Sequence, residues 1–138
     1  MRTRDFSRRR WAIFLTLASV LFFNAGIPST VLAGGTLDGK GFTGEIGSQG
    51  GTKTVKDEFV FENGEFNSTL CNQFGYGKGA YQATAQGEVI DFQAVTLSGS
   101  GGKKSWSGTV KGDTIEGSIS TSQNGETTED VFKGTLKK

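Results

Sequence analysis

Between Lys104 and Ile119 the chain reads KSWSGTVKGDTIEGSI. Trp106, Gly108 and Val110 alternate with Ser107 and Thr109, and Ile115, Gly117 and Ile119 alternate with Glu116 and Ser118. A repeat of two belongs to extended backbone, whose successive side chains point to opposite faces. The short Lys111-Gly112-Asp113 link predicts that the two runs fold back as an antiparallel hairpin. The same order of large apolar, polar, Gly, polar and aliphatic residues recurs as Phe42–Ile46 (FTGEI) and Phe132–Leu136 (FKGTL). Gly inside a strand normally weakens it, so four glycines at one phase need a cause. Inward kinks of strands that close a small barrel supply one. Alternatively, the missing side chains leave room for a ligand.

Working outward, no window beyond Gly34 carries the three-and-four apolar spacing of a helix. Alternation predicts strands at 41–47, 56–62, 65–72, 79–86, 89–98, 104–111, 114–122 and 128–137. Asn63-Gly64 and Asn124-Gly125 are strong hairpin turns because both residue types accept positive φ. Gln86-Gly87 is a weaker one. Eight consecutive strands with tight turns make an all-β fold, an eight-stranded antiparallel up-and-down meander. Pairing its first strand with its last closes it into a small barrel and removes both edges.

The start of the chain has a different character. Met1–Arg10 is basic, Trp11–Phe23 is an uncharged run of 13 residues, and small or aliphatic residues stand at Val31 and Ala33. That order predicts a secretory signal helix cleaved after Ala33. A membrane span needs about 20 apolar residues. Residues 1–33 are therefore read as a signal peptide and residues 34–138 as a single domain, periplasmic or secreted, touching the membrane only before cleavage. Ser7–Trp11 partly matches a twin-arginine signal, which leaves the export route open between that and the general secretory one.

Composition narrows the chemistry. All five Arg lie in the first ten positions, and beyond Gly34 ten Lys face thirteen Asp and Glu. A mildly acidic, Arg-free domain does not suit nucleic acid. The chain has no His and one Cys, so it lacks the commonest general base and any multi-cysteine metal site. No metal, cofactor or catalytic group is expected, and the chain is read as a non-enzyme.

The inward phase of the expected strands begins at Phe42 and runs through Phe59, Phe61, Phe66, Ser68, Leu70, Tyr81, Ala83, Ala85, Phe92, Ala94, Trp106, Ile115, Ile119 and Phe132 without a carboxylate or amine. A bulge near Ala94 would turn Val95 and Leu97 inward instead. Asp57, Glu58, Glu126, Glu129 and Asp130 read as solvated charge. An eight-stranded barrel is either just filled by side chains or holds one small ligand. Phe61, Tyr81, Phe92 and Trp106 are the candidate ligand lining, with Tyr76 at the mouth. Cys71 is the one candidate reactive thiol, although no neighbouring His or Arg would lower its pKa. Gly75, Gly77 and Gly79 separate Phe74, Tyr76 and Tyr81 in a loop suited either to recognition or to plugging a barrel end.

FENGEFNSTLC, FGYGKGAYQA, SWSGTVKGDTIEGSI and FKGTL, taken in that order, resemble small exported bacterial β-barrel proteins to which no catalytic role attaches. Length and meander are also similar to the calycin architecture of lipocalin-like carriers, avidins and small protease inhibitors, although Phe42 follows Gly41 where lipocalins carry Gly-x-Trp. The resemblance implies a binding module with a small apolar ligand in or at the mouth of the barrel. A filled barrel would instead imply an inhibitor or envelope accessory protein that meets a protein partner through the loop from Cys71 to Gly79 or a terminus.

Overall fold

The computed structural model describes Leu32, Ala33 and residues 35–138, so the rest of the expected signal segment lies outside the described residues. Its elements are β1 (Leu32–Ala33), β2 (Gly41–Ser48), β3 (Thr54–Glu62), β4 (Glu65–Ser68), α1 (Thr69–Asn72), β5 (Gly79–Gln86), β6 (Val89–Leu97), β7 (Lys103–Lys111), β8 (Thr114–Gln123) and β9 (Glu126–Leu136). From β2 onward each strand pairs antiparallel with the next. β9 returns to β2 from Phe42↔Leu136 to Ser48↔Asp130. The result is an eight-stranded closed antiparallel barrel in meander order.

Turn chemistry sets the register. Asn63 and Gly64 have φ of 53° and 74°, and Asn124 and Gly125 have 52° and 79°. Two consecutive positive φ angles match the right-handed twist of the flanking strands. One end of the barrel carries the β3–β4, β5–β6 and β7–β8 turns. The other carries the β2–β3, β6–β7 and β8–β9 turns together with α1.

The four recurrent glycines pair off. Gly44 faces Gly134 across β2–β9, and Gly108 faces Gly117 across β7–β8. A Cβ on Gly44 would lie 2.8 Å from the Phe59 ring, and one on Gly117 would lie 2.6 Å from the Phe132 ring. Backbone of the facing strand crowds all four positions, and at Gly44, Gly108 and Gly117 an aromatic ring from another strand also lies within 3 Å of where a Cβ would stand.

On the outer face, Glu116, Lys133, Glu45 and Lys56 stand in register on β8, β9, β2 and β3. Lys133 Nζ lies 3.5 Å from Glu45 Oε1. Opposite charges directly across strands favour this register over a slipped one.

Three expectations need correction, and one alternative is settled. The strand expected over 65–72 ends at Ser68, because its hydroxyl oxygen accepts the Cys71 N–H at 3.2 Å and caps a single helical turn. Leu70 thus leaves the inward set, and Ala85, near the end of β5, is exposed. No bulge inverts β6: Thr96 is buried, accepting a 3.1 Å hydrogen bond from the Trp106 indole, while Val95 and Leu97 are exposed. The interior also contains a carboxylate. Asp57 shares the inward phase of Phe59 and Phe61 and is 4% exposed.

Candidate functional site

The barrel interior is lined with aromatic rings. The Phe61 ring packs edge-on against Tyr81 and Phe92, with centroids 5.0 and 5.1 Å apart. Phe66 bridges this group to Trp106 at 4.7 Å, and Trp106 meets Phe132 at 5.4 Å. Tilted and edge-to-face rings at such spacings add to the burial of their area. The barrel interior is filled.

Phe61, Tyr81, Phe92 and Trp106 are thus brought together, each at most 2% exposed. Tyr76 lies apart, at the end that carries α1. Comparison of the chain with models of protein families, with curated proteins and with solved structures finds no match.

Each end of the barrel has its own closure. At the β3–β4 end the turn from Gly35 to Gly39 folds Leu37 inward to full burial. The Tyr81 hydroxyl accepts the N–H groups of Gly35 and Leu37 at 3.0 and 3.1 Å and donates to Asp38 Oδ1 at 2.7 Å. Asp38 also accepts the Gly64 N–H at 3.0 Å, tying this turn to the β3–β4 hairpin. Burial pushes the Tyr81 phenol up, and its hydrogen bond to the Asp38 carboxylate adds to the shift.

At the opposite end Tyr76 is 7% exposed and bridges to Ser98. Lys104 Nζ stands 5.0 Å from its ring centroid, within cation–π range. A Cβ on Gly102 would collide with the Tyr76 hydroxyl, so this glycine makes room for the ring.

Beside it, the Asp57 carboxylate accepts the N–H groups of Glu58 and Leu70 at 2.7 and 2.9 Å, together with the hydroxyls of Ser68 and Thr69. Four donors compensate the cost of burying the charge. Cys71, within the α1 turn, is 5% exposed. Burial raises its thiol pKa above the ordinary value, against the lowering effects of Ser68 and Lys104. Asp57 therefore fastens α1 to β3. Among the described residues, no three His, Cys, Asp or Glu side chains stand close enough to hold a metal ion.

The outer surface holds two features. An open depression of about 980 Å³ crosses β5 through β9 to β2 and is lined by polar side chains such as Gln82, Asp91, Gln93, Thr109 and Glu116. Where the 73–78 loop meets the end of β6, the Gly77 N–H donates to Leu97 O at 3.1 Å. Phe74, 67% exposed, lies in this loop, and Leu97 and Val95, 61% and 41% exposed, lie at the end of β6 that it joins.

Sequence reasoning singled out the loop that carries Phe74 and missed Asp57, Leu37 and the β6 side of this junction. Asp57 was findable from its phase, because it precedes Phe59 by two. Leu37 carried no signal, since a single turn has no period. Leu97 depended on whether β6 kept its alternation through Thr96.

Proposed function

We propose that this chain is an exported, non-enzymatic binding module of calycin-like architecture that meets a protein partner through the apolar rim around Phe74 and Leu97. The observation that carries the reading is the contrast between a filled interior and this exposed rim. Phe61, Tyr81, Phe92 and Trp106 are buried among themselves and the rings of Phe59, Phe66 and Phe132, whereas among the described residues Phe74, Val95 and Leu97 stand exposed. Grouped apolar side chains exposed on a small domain mark contact surfaces. The loop that presents Phe74 is held at Tyr76 and Gly77, so the rim is partly preorganised, which lowers the ordering cost of association. Export is supported by the basic start and short apolar run of residues 1–33.

A small apolar ligand at the same mouth is the second reading, favoured by the same three side chains. Affinity capture from envelope extracts with the wild type and with the Phe74→Ser, Leu97→Ser double variant separates the two. A protein captured by the wild type and lost in the variant supports the interaction module. A small molecule retained by the exported wild type in native mass spectrometry and absent from the variant supports the carrier. Capture unaffected by the double substitution sinks the role of the rim.

A further inference from the structure

Around the barrel, neighbouring strands are joined over four or more residue pairs with one exception. β4 meets β5 only at Glu65↔Ala80 and Phe66↔Gly79, although β5 continues to Gln86. On its other side β5 is paired with β6 from Tyr81 to Gln86. Beyond Tyr81 the near edge of β5 has no barrel strand beside it. Such an edge presents N–H and C=O groups that template another strand, and natural proteins usually blunt it with Lys, Pro or a bulge. The stretch Gln82–Gln86 (QATAQ) contains neither charge nor proline.

The chain itself lies on this edge. β1 pairs antiparallel with β5 as Leu32↔Ala83 and Ala33↔Gln82. Directly afterwards, the Gly35 and Leu37 N–H groups are held by the Tyr81 hydroxyl. The expected cut, between Ala33 and Gly34, falls between these two attachments.

We propose that the β5 edge from Gln82 to Gln86 is a strand-acceptor site, entered in the full-length chain by Leu32 and Ala33 at Ala83 and Gln82 and vacated when the segment ending at Ala33 is cleaved off. The vacancy on cleavage rests on the reading of residues 1–33 as an export signal. Hydrolysis of the Ala33–Gly34 bond adds the hydroxyl of water to the Ala33 carbonyl and a proton to the Gly34 nitrogen. The added strand is freed, while Tyr81 keeps the turn that buries Leu37. The ligand class is an extended, uncharged polypeptide segment bound through its backbone, as in other strand additions. Its occupant in cis is Leu32–Ala33, and a peptide carrying the sequence that ends there, GIPSTVLA, is the occupant in trans after cleavage.

Hydrogen exchange read by mass spectrometry over residues 82–86 tests this. Three proteins are compared: the full chain, the processed chain recovered from cells, and the full chain carrying Leu32→Pro. The substitution removes a backbone donor from β1 and alters no barrel strand. Exchange at 82–86 is expected to be about tenfold faster in the processed chain and in Leu32→Pro than in the full chain, with β7–β9 unchanged. Adding the synthetic peptide GIPSTVLA to the processed chain restores slow exchange in a saturable way, and the same peptide with proline in place of Leu32 does not. Equal exchange in the three proteins, or no response to the peptide, overturns the proposal. So does a processed chain that sediments as a dimer with 82–86 already protected, since a second copy would then be the occupant. A cut elsewhere, seen in the mass of the exported chain, sinks the export reading alone, because the Leu32→Pro comparison tests strand addition on the uncleaved chain.

Discussion

Gly108 stands directly opposite Gly117 on the β7–β8 ladder, and the tip of the Phe132 ring lies within 3 Å of where either residue would carry a Cβ. Gly44 and Gly134 repeat the arrangement on β2–β9 with Phe59 over Gly44. The five-residue repeat is therefore a packing device. Two bare patches of backbone receive rings that would otherwise have no volume in so narrow a barrel.

Gly117→Ala tests this device. Its methyl group would collide with Ser107 O and lie 2.6 Å from both Phe132 Cζ and Gly108 Cα, and backbone has little freedom to retreat. Overpacking of this kind costs about 1–3 kcal/mol, read as a lower urea midpoint at unchanged slope. Adding Phe132→Leu to Gly117→Ala recovers part of the loss, giving a non-additive double-mutant cycle. Gly87→Ala at an open turn lacks any such contact, and the cost there comes only from its positive φ of 62°.

Asp57→Ala leaves the Leu70 N–H without its partner and removes the acceptor for the Ser68 hydroxyl. Leaving buried donors unmade costs about 1–3 kcal/mol. The damage is expected first at α1. Amide exchange of Leu70 and Cys71 should accelerate in the native state before the strands open, and Asp57→Asn should fall between the wild type and Asp57→Ala.

Tyr81→Phe keeps the ring against Phe61 and deletes the hydroxyl that holds Gly35, Leu37 and Asp38. A loss of about 1–3 kcal/mol is expected from the orphaned groups. The phenol pKa is raised by folding from a reference of 10.0. The unfolded chain therefore ionises first, so this contribution is fully present below pH 10 and is lost as pH rises through the folded value. Thermal melts between pH 8 and 11 should show a decline that is shallower in Tyr81→Phe.

Cys71 follows the same sign. Its thiol is pushed above the reference value of 9.0, chiefly by burial, so its share of stability fades as pH climbs past 9. At pH 8 iodoacetamide should label the native thiol at a rate limited by opening of the protein, and label the urea-unfolded chain about as fast as a free cysteine. Rapid labelling of the native protein would contradict the burial of Cys71 in α1.

Period and turn chemistry are local properties, which is why strand order, the Asn-Gly hairpins and the inward phase were legible along the chain. Boundaries were harder wherever one side chain competed with the backbone ladder. The Ser68 hydroxyl ends β4 by capping α1, and Thr96 preserves the β6 alternation by accepting the Trp106 indole. Both outcomes depend on partners that a window of sequence does not contain. Phe61, Tyr81, Phe92 and Trp106 were identified as a group, but whether they surround a space or fill it depends on ring placement in three dimensions.

Sequence alone determined the class of this protein, an antiparallel eight-stranded closed barrel, because alternation with a period of two and positive-φ turns leave few other ways to bury so many rings. Tertiary structure decided what the barrel contains and where it is open. Ring-on-glycine packing filled the interior, a buried aspartate pinned one end, and the short β4 left an edge of β5 that the chain covers with Leu32 and Ala33. Each of these is a meeting of residues far apart in the chain, set by volume and hydrogen-bond geometry.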